Sequence, residues 1–180
     1  HSSPRRQRQM CIRDSFSVNE KNSKFDIPFP ENSQNSIRLI IGETCQIKLI
    51  NENYSIQQLS EDEINKYIKE QIACFDQNEN WSDLLNLSLS STKNFLGLKI
   101  NGSKIPPIEI FSHASSNSLN AKTLVIFLEK NCHIELLQVN IGKENSSLSQ
   151  STFFLLEENS SLNHGVVSYG ENRSNLLNSL

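Results

Sequence analysis

Residues 127–139 read FLEKNCHIELLQV and residues 155–167 read LLEENSSLNHGVV, so one pattern occurs twice without a gap in the alignment. Each copy consists, in order, of two apolar residues, Glu, a charged residue, Asn, two small or polar residues, an aliphatic residue and a second mostly apolar run. A weaker earlier copy, LKINGSKIPPIEIF, places Asn101-Gly102 and Ile105 roughly where Asn131-Cys132 and Ile134 lie in the next copy. The offset between copies is about 28 residues, which is typical of repeat architectures.

The repeat lies in a region made of short β-type segments. From Asn94 onward the chain alternates apolar, β-branched or aromatic runs with clusters of Asn, Gly, Ser and Lys, and no helical signal interrupts them: NFLGLKI, PPIEIFSH, KTLVIFLE, HIELLQV, STFFLLE and HGVVSY. A unit of this size cannot bury its apolar face alone, so successive copies must stack and cover one another. Strands stacked without helices form a β-solenoid, so the sequence predicts an all-β β-helix over residues 93–180.

Alternation within each copy predicts which side chains point inward. Successive strand residues face opposite sides, and Ile134 and Leu136 share one parity with their counterparts Leu162 and His164. We expect these four side chains in the core. Asn at a corner is expected because Asn tolerates left-handed backbone angles and its side chain bonds the local backbone.

The first half of the chain has a different composition. Residues 1–15, HSSPRRQRQMCIRDS, carry four arginines without apolar periodicity, which favours a non-native prefix, such as an adaptor remnant, over a native basic arm. Residues 16–92 are expected to form a small mixed α/β region. Its lead-in is polar and interrupted by Pro28 and Pro30, and the next run predicts a hairpin or a pair of short strands around Gly42-Glu43-Thr44.

The clearest helical signal follows this run. Ser60 and Glu63 fit a capping box, in which each side chain accepts a hydrogen bond from the other residue's backbone amide. Apolar residues then recur at helical spacing on one face: Ile64, Tyr67, Ile68 and Ile72. The pattern favours a helix that covers its own domain over a partner-binding helix. A second short helix is expected near Trp81 or Ser82, carrying Leu84, Leu85 and Leu87.

Charge and hydropathy exclude two classes of partner. Taking the four arginines and one aspartate of residues 1–15 away from the 17 basic and 20 acidic residues leaves 13 and 19, a net charge of −6. Such a chain is a poor match for nucleic acid, whose affinity comes largely from neutralised phosphates. It also lacks an apolar run of the roughly 20 residues that span a bilayer. The sequence therefore predicts a soluble intracellular protein that binds neither nucleic acid nor membrane.

The cysteines and acidic residues predict neither a metal site nor a catalytic site. Cys11, Cys45, Cys74 and Cys132 show no C-x-x-C spacing, so we expect reduced, partly buried thiols and no bound metal. Cys132 and the adjacent His133 should point to opposite faces. The sequence contains no phosphate loop, nucleophile elbow or H-E-x-x-H motif.

Three further residues are candidates for chemistry, and each has a simpler interpretation. Glu129 and Glu157 recur in register and could form a carboxylate pair, although strand-end residues facing water are favoured. His164 could act as a ligand or an acid–base residue, but a core histidine with a local hydrogen-bond partner is favoured.

The order of several motifs resembles the SufB/SufD family of iron–sulfur cluster assembly proteins. The run WSDLLNLSLS is followed by LGLKINGSKIPPIEIFSHASS, AKTLVIFLEKNCHIELLQV and LLEENSSLNHGVVSYGENRSN, and together the resemblance covers most of residues 37–180. The matching features are Leu85-Asn86, Pro107–Ile110, Thr123 through Glu129, and Glu157 through His164. The chain is more similar to SufD, because it lacks the glycine-rich segment of SufB and carries Leu137–Asn140 where SufB has a cysteine-containing E-x-C-T-A-P.

This resemblance implies a right-handed parallel β-helix and a non-catalytic scaffold role. SufD-like proteins assemble with SufB and the ATPase SufC in the cytoplasm, or in the plastid stroma of a eukaryote, and the assembled complex handles the Fe–S cluster. The implied C-terminal helical region, with its SufC contact and much of the SufB interface, would follow the β-helix, so the expected fold is truncated at the C-terminus. No cofactor-binding residue of the family can be transferred to a position here.

Two other interpretations stay open on sequence alone. One is a β-helical carbohydrate-active enzyme, which would show clusters of Asp, Arg or Lys on one exposed sheet. The other is a purely structural solenoid domain.

Overall fold

The computed structural model describes residues 36–41, 47–75 and 94–179. The elements, in chain order, are β1 (Ile37–Ile41), β2 (Lys48–Ile50), β3 (Tyr54–Gln58), α1 (Glu61–Phe75), β4 (Asn94–Gly102), β5 (Ile108–Ala114), β6 (Leu119–Leu128), β7 (His133–Gly142), β8 (Ser147–Leu156), β9 (Ser161–Gly170) and β10 (Asn175–Ser179). The prefix, the lead-in, Gly42-Glu43-Thr44, Cys45 and the second helix near Trp81 lie outside the described residues.

The strands after α1 wind into a parallel β-solenoid of about three turns. Sheet A has the strand order β1-β5-β7-β9, and sheet B has the order β10-β8-β6-β4-β3-β2. The two quoted segments lie directly above each other, since Phe127 pairs with Leu155 and Ile134 pairs with Leu162. One coil is therefore a 28-residue unit, which is also the separation of the hydrogen-bonded Asn131 and Asn159. The prediction that each coil packs on the next is confirmed.

Each coil contains two corners of the same backbone geometry. Corner 1 (residues 129–132 and 157–160) leads from sheet B to sheet A, and corner 2 (residues 115–118, 143–146 and 171–174) leads back. Left-handed backbone angles occur at the third residue of every corner, with φ between 55° and 58°: Asn117, Asn131, Asn145, Asn159 and Arg173. The predicted left-handed angles of Asn at the corners are confirmed, whereas the Asn159 side chain bonds the Asn131 side chain of the neighbouring coil rather than the local backbone.

A serine fixes the end of most corners. The hydroxyls of Ser146 and Ser174 donate to the backbone carbonyls of Lys143 and Glu171, at 2.5 Å and 2.7 Å. At corner 1, the Cys132 amide makes a local bond to the Glu129 carbonyl at 3.2 Å. Such local bonds satisfy backbone groups where the sheets are interrupted.

The earlier copy of the repeat is present, but the predicted alignment was wrong. Ile100 pairs with Leu128 and Ile108 pairs with Leu136, so both sheets keep the offset that separates the two later copies. Ile105 therefore is not the counterpart of Ile134. The corner that follows β4 is longer and has its left-handed residue at Lys104, because β4 continues to Gly102 to pair with β3.

The strands before α1 extend both sheets. Strand β1 pairs in parallel with β5, and Arg38 and Glu109 form an ion pair across this join at 2.7 Å. Strands β2 and β3 form an antiparallel hairpin with each other, and β3 pairs with β4. Because β1 and β2 belong to different sheets, the pair of short strands is confirmed and the hairpin between them is not.

Helix α1 begins at the predicted capping box. The Ser60 amide donates to the Glu63 carboxylate at 2.8 Å, and the Glu63 amide donates to the Ser60 hydroxyl at 3.4 Å. The bonds that the Ser60 amide and hydroxyl donate to the Glu63 carboxylate lower the pKa of Glu63. The buried Ile64 and Ile68 pack on the outer face of sheet B, so the helix covers its own domain as predicted; the side chain of Ile72 lies outside the described set. A Cβ at Gly97 would lie 2.6 Å from Ile64, so glycine permits this close approach.

The interior of the solenoid has two halves of different chemistry. The half near corner 1, here called the apolar half, contains aliphatic side chains that are 4% exposed or less, such as Leu98, Ile126, Leu128 and Ile134. The half near corner 2, here called the polar half, has polar side chains at inward positions: Ser112, Lys122, Gln138, Asn140, Gln150 and Thr152. The inward assignment of Ile134, Leu136, Leu162 and His164 is confirmed, with the first pair buried and the second pair half-buried.

Candidate functional site

Glu129 and Glu157 lie one coil apart at corner 1, and both are engaged. Glu129 forms an ion pair with Lys99 at 2.6 Å, and this contact raises the pKa of the lysine. The Glu157 carboxylate accepts a hydrogen bond from the Lys130 amide at 3.1 Å. The predicted position at the strand ends is confirmed. With these partners, both carboxylates stabilise the contact between coils and are not poised as an acid–base pair.

Further ion pairs join successive coils at both corners. Lys130 reaches Glu158 at 3.2 Å, and Lys143 reaches Glu171 at 2.7 Å. The hydrogen bond from Lys143 lowers the pKa of Glu171. The first pair is exposed, so it contributes little to stability. Each pair joins residues about one coil apart, so the charges at corner 1 and corner 2 follow the repeat.

His164 lies in the interior, where the ring meets Phe154 edge-on at 4.9 Å between centroids. Its Nε2 atom is buried and has no hydrogen-bond partner among the described residues. The interior position is confirmed, whereas the expected local hydrogen bond to this nitrogen is missing. Burial lowers the pKa of His164. A neutral ring inside an apolar layer serves packing better than proton transfer.

Cys132 and His133 point apart, as predicted. The Cys132 thiol is free and fully buried, and burial raises its pKa. His133 is exposed, and its Nδ1 lies 2.6 Å from the Ser161 hydroxyl of the next coil. The thiol therefore stays protonated in the core, and the side chain of Cys74 lies outside the described set.

The outer face of sheet A carries an apolar surface that the sequence reasoning missed. Strand pairing aligns Ile40, Phe111, Val139 and Val167 across all four strands. We call these four residues, with the flanking Leu137 and Tyr169, the outer row. Within it, Leu137 is 37%, Val167 51% and Tyr169 63% exposed. Phe111, in the middle of the row, is only 3% exposed, so the exposed part consists of Leu137, Val167 and Tyr169 towards one end and Ile40 at the other. Exposed apolar side chains grouped on one face of a sheet often mark interaction surfaces.

The polar half of the interior was also missed. Its side chains recur once per coil, as Ser112, Asn140 and Ser168 in sheet A and as Lys122, Gln150 and Asn178 in sheet B. The Lys122 ammonium donates to the backbone carbonyls of Ile41 and His113, at 2.9 Å and 3.3 Å. The regular spacing of these polar positions, equal to the coil period, is the signal that could have revealed the half.

Comparisons with known proteins assign no family. No protein-family model, no curated protein and no solved structure matches the chain. Within residues 36–41, 47–75 and 94–179, no group of three or more His, Cys, Asp or Glu side chains is placed to hold a metal ion. None of the helices in the same ranges has the length and apolarity to cross a membrane.

Proposed function

We propose that the chain is a SufD-like, non-catalytic scaffold subunit of a SUF-type iron–sulfur cluster assembly complex, working with SufB-like and SufC-like subunits in the cytoplasm or the plastid stroma. The observation that carries the proposal is the parallel solenoid, whose strands follow the order of the motifs that resemble this family. In this proposal the cluster belongs to the assembled complex and is not bound by this chain alone.

The outer row supports a role in binding partner proteins. Apolar and aromatic side chains such as Leu137, Val167 and Tyr169 are exposed there, and well-packed apolar and aromatic groups supply much of the energy at protein interfaces. They stand on a rigid sheet, so a partner would meet a preformed surface.

The engaged carboxylates favour this role over a carbohydrate-active enzyme. Glycoside hydrolysis requires two carboxyl groups, one of them protonated, on either side of the scissile bond. At corner 1, Glu129 is held by Lys99 and Glu157 by the Lys130 amide. A purely structural solenoid is the outcome to expect if no SUF subunit binds.

The proposal is tested by co-expressing the chain with tagged SufB-like and SufC-like subunits, followed by pull-down and size-exclusion chromatography. We expect the SufB-like subunit to retain the chain and Val167→Lys to weaken that retention at least tenfold. Asn163→Lys is the matched control, because Asn163 is an exposed outward residue of the same strand. Absence of the chain from every complex, or equal loss from both variants, would overturn the proposal.

A second test addresses catalysis directly. The purified chain, prepared aerobically and anaerobically, should contain neither iron nor zinc at one per chain and should not hydrolyse ATP above background. Stoichiometric metal or ATP turnover that survives repeated purification would contradict a non-catalytic scaffold.

A further inference from the structure

The polar half of the interior contains buried polar atoms that the described protein groups do not satisfy. Ser112, Gln138, Asn140 and Gln150 are each 0% exposed. Five of their side-chain atoms have no hydrogen-bond partner among the described residues: Ser112 Oγ, Gln138 Nε2, Asn140 Oδ1, Gln150 Nε2 and Gln150 Oε1. A buried polar group without a partner destabilises a fold, so a cluster of them requires a physical explanation.

These atoms converge from three strands on one part of the interior. Ser112 and Asn140 are register partners in sheet A. Two contacts cross from sheet A to sheet B on either side of Gln150: the Thr152 hydroxyl donates to Gln138 Oε1 at 3.2 Å, and Asn140 Nδ2 donates to Asn178 Oδ1 at 2.6 Å. Thr152 lies two residues after Gln150, and Asn178 is the register partner of Gln150 in the next coil. The carboxamide of Gln150 therefore faces the unsatisfied atoms of sheet A.

The mixture of atoms identifies the kind of ligand. Carboxamide nitrogens must donate, and the oxygens of Asn140 and Gln150 must accept, so the ligand has to do both. A cation is disfavoured because the Lys122 ammonium side chain lies beside Gln150 in the same column. An anion is disfavoured by the carboxamide oxygens. Water donates and accepts, and buried water commonly makes about three hydrogen bonds to groups such as these.

We propose that the polar half binds ordered water molecules that bridge Ser112, Gln138, Asn140 and Gln150. The bridges satisfy the carboxamides and tie sheet A to sheet B where much of the interior is polar. Asn178 Nδ2 in turn donates to the Ser168 hydroxyl at 3.1 Å, so the polar contacts between the two sheets continue from β7 to β9 and β10.

The first test detects the water directly in the full 180-residue chain. In a ¹⁵N- and methyl-labelled sample, the side-chain amides of Gln138 and Gln150 should give nuclear Overhauser cross-peaks to water. The methyl groups of Ile126 and Leu128, in the apolar half, serve as the dry control and should give none. Carboxamides without water cross-peaks, or cross-peaks of equal strength in both halves, would overturn the proposal.

The second test uses the sign of a stability change. Gln150→Met keeps the volume but removes the bridge, leaving Asn140 and Ser112 unsatisfied, so Tm should fall by about 3 °C or more. Leu148→Met, an inward apolar position on the same strand, is the matched control and should change Tm by less than half as much. An unchanged or higher Tm for Gln150→Met would mean that the carboxamide was dry and unfavourable, and the proposal would be wrong. If this variant does not fold, the cross-peaks of the unmodified chain decide.

Discussion

The two halves of the solenoid interior share one backbone but differ in how they are held together. In the apolar half, Leu98 and Ile126 stack in register and are fully buried. In the polar half, Lys122, four residues before Ile126, stacks in register on Gln150, four residues before Phe154. In both halves, inward-facing and outward-facing residues alternate along each strand. The path of the backbone is therefore the same whether the inward side chains are apolar or polar. The apolar half should provide most of the stability, because burial of apolar area dominates folding.

The largest effect is expected from a cavity in the apolar half. Ile126→Ala removes a fully buried side chain between two coils and should lower the free energy of unfolding by about 2–5 kcal/mol. Urea denaturation followed by circular dichroism measures the loss. The surface control Lys130→Ala should change it by less than about 0.5 kcal/mol. A loss at Ile126 as small as that of the control would mean that the apolar half is not the main source of stability.

A charge at the edge of the apolar half should have a smaller effect. Leu162 is half-buried against the core and Asn163 is exposed on the opposite face. We expect Leu162→Asp to cost about 1–3 kcal/mol, because the carboxylate loses part of its hydration, and Asn163→Asp to cost much less. Thermal denaturation of both variants compares the two faces. Equal losses would contradict the assignment of faces on β9.

Substitution of the left-handed Asn should lower the stability by a similar amount at corner 1 and at corner 2. Asn159 at corner 1 and Asn145 at corner 2 have φ values of 56° and 55°. Replacing either with Ala should cost about 1 kcal/mol, because Ala lacks the short polar side chain that lets Asn adopt left-handed angles, whereas replacement with Gly should cost less. Denaturation of the four variants measures this. A clear difference between the two corners would show that the contrast between the halves extends to the backbone.

A gradual effect is expected from pH. Burial lowers the pKa of His164, and burial together with Lys122 and Lys143 lowers the pKa of His113 from 6.5 to about 4. As pH falls below about 6.5, the unfolded chain takes up protons that the folded chain does not, so the free energy of unfolding decreases; for His113 this continues to about pH 4. Above that range, each ring is neutral in both the folded and the unfolded chain and contributes no dependence.

Variants of the two histidines separate their contributions. His113→Gln should flatten the pH dependence between pH 6.5 and about 4, and His164→Leu should flatten it below about pH 6.5, both measured by urea denaturation at a series of pH values. A slope that neither variant changes would mean that the carboxylates alone produce it.

Local features of the fold were predictable from the sequence. The repeat, Asn131 and Asn159 at the corners, and the capping box of Ser60 and Glu63 each depend on residues close in sequence or on identical letters at a fixed spacing. Pairings set by distant parts of the chain were not predictable. The join of β1 to β5 is an example, because Arg38 and Glu109 are 71 residues apart. The early copy was misaligned because β3 prolongs β4 and shifts the corner.

Less of the candidate site was predictable. Glu129, Glu157 and His164 were identified from the repeat and lie where it placed them, but their partners depend on the stacking of neighbouring coils. Serine and glutamine at inward positions resemble surface residues when only composition is considered, so the polar half escaped notice. The outer row was hidden for a related reason: Ile40, Phe111, Val139 and Val167 come from four separate strands.

The in-register stacking of the strands fixes the length of the solenoid in equal steps. Neighbouring strands lie about 4.8 Å apart, so adding or removing one whole coil changes the length of the stack by that step and by no smaller amount. The four strands of the outer row thus set a span of about 14 Å, three such steps, from Ile40 to Val167. A partner that fits this surface would have contact groups separated by multiples of the strand spacing. Relatives of this chain could lengthen or shorten the surface by gaining or losing one coil, with the sequence of each corner unchanged.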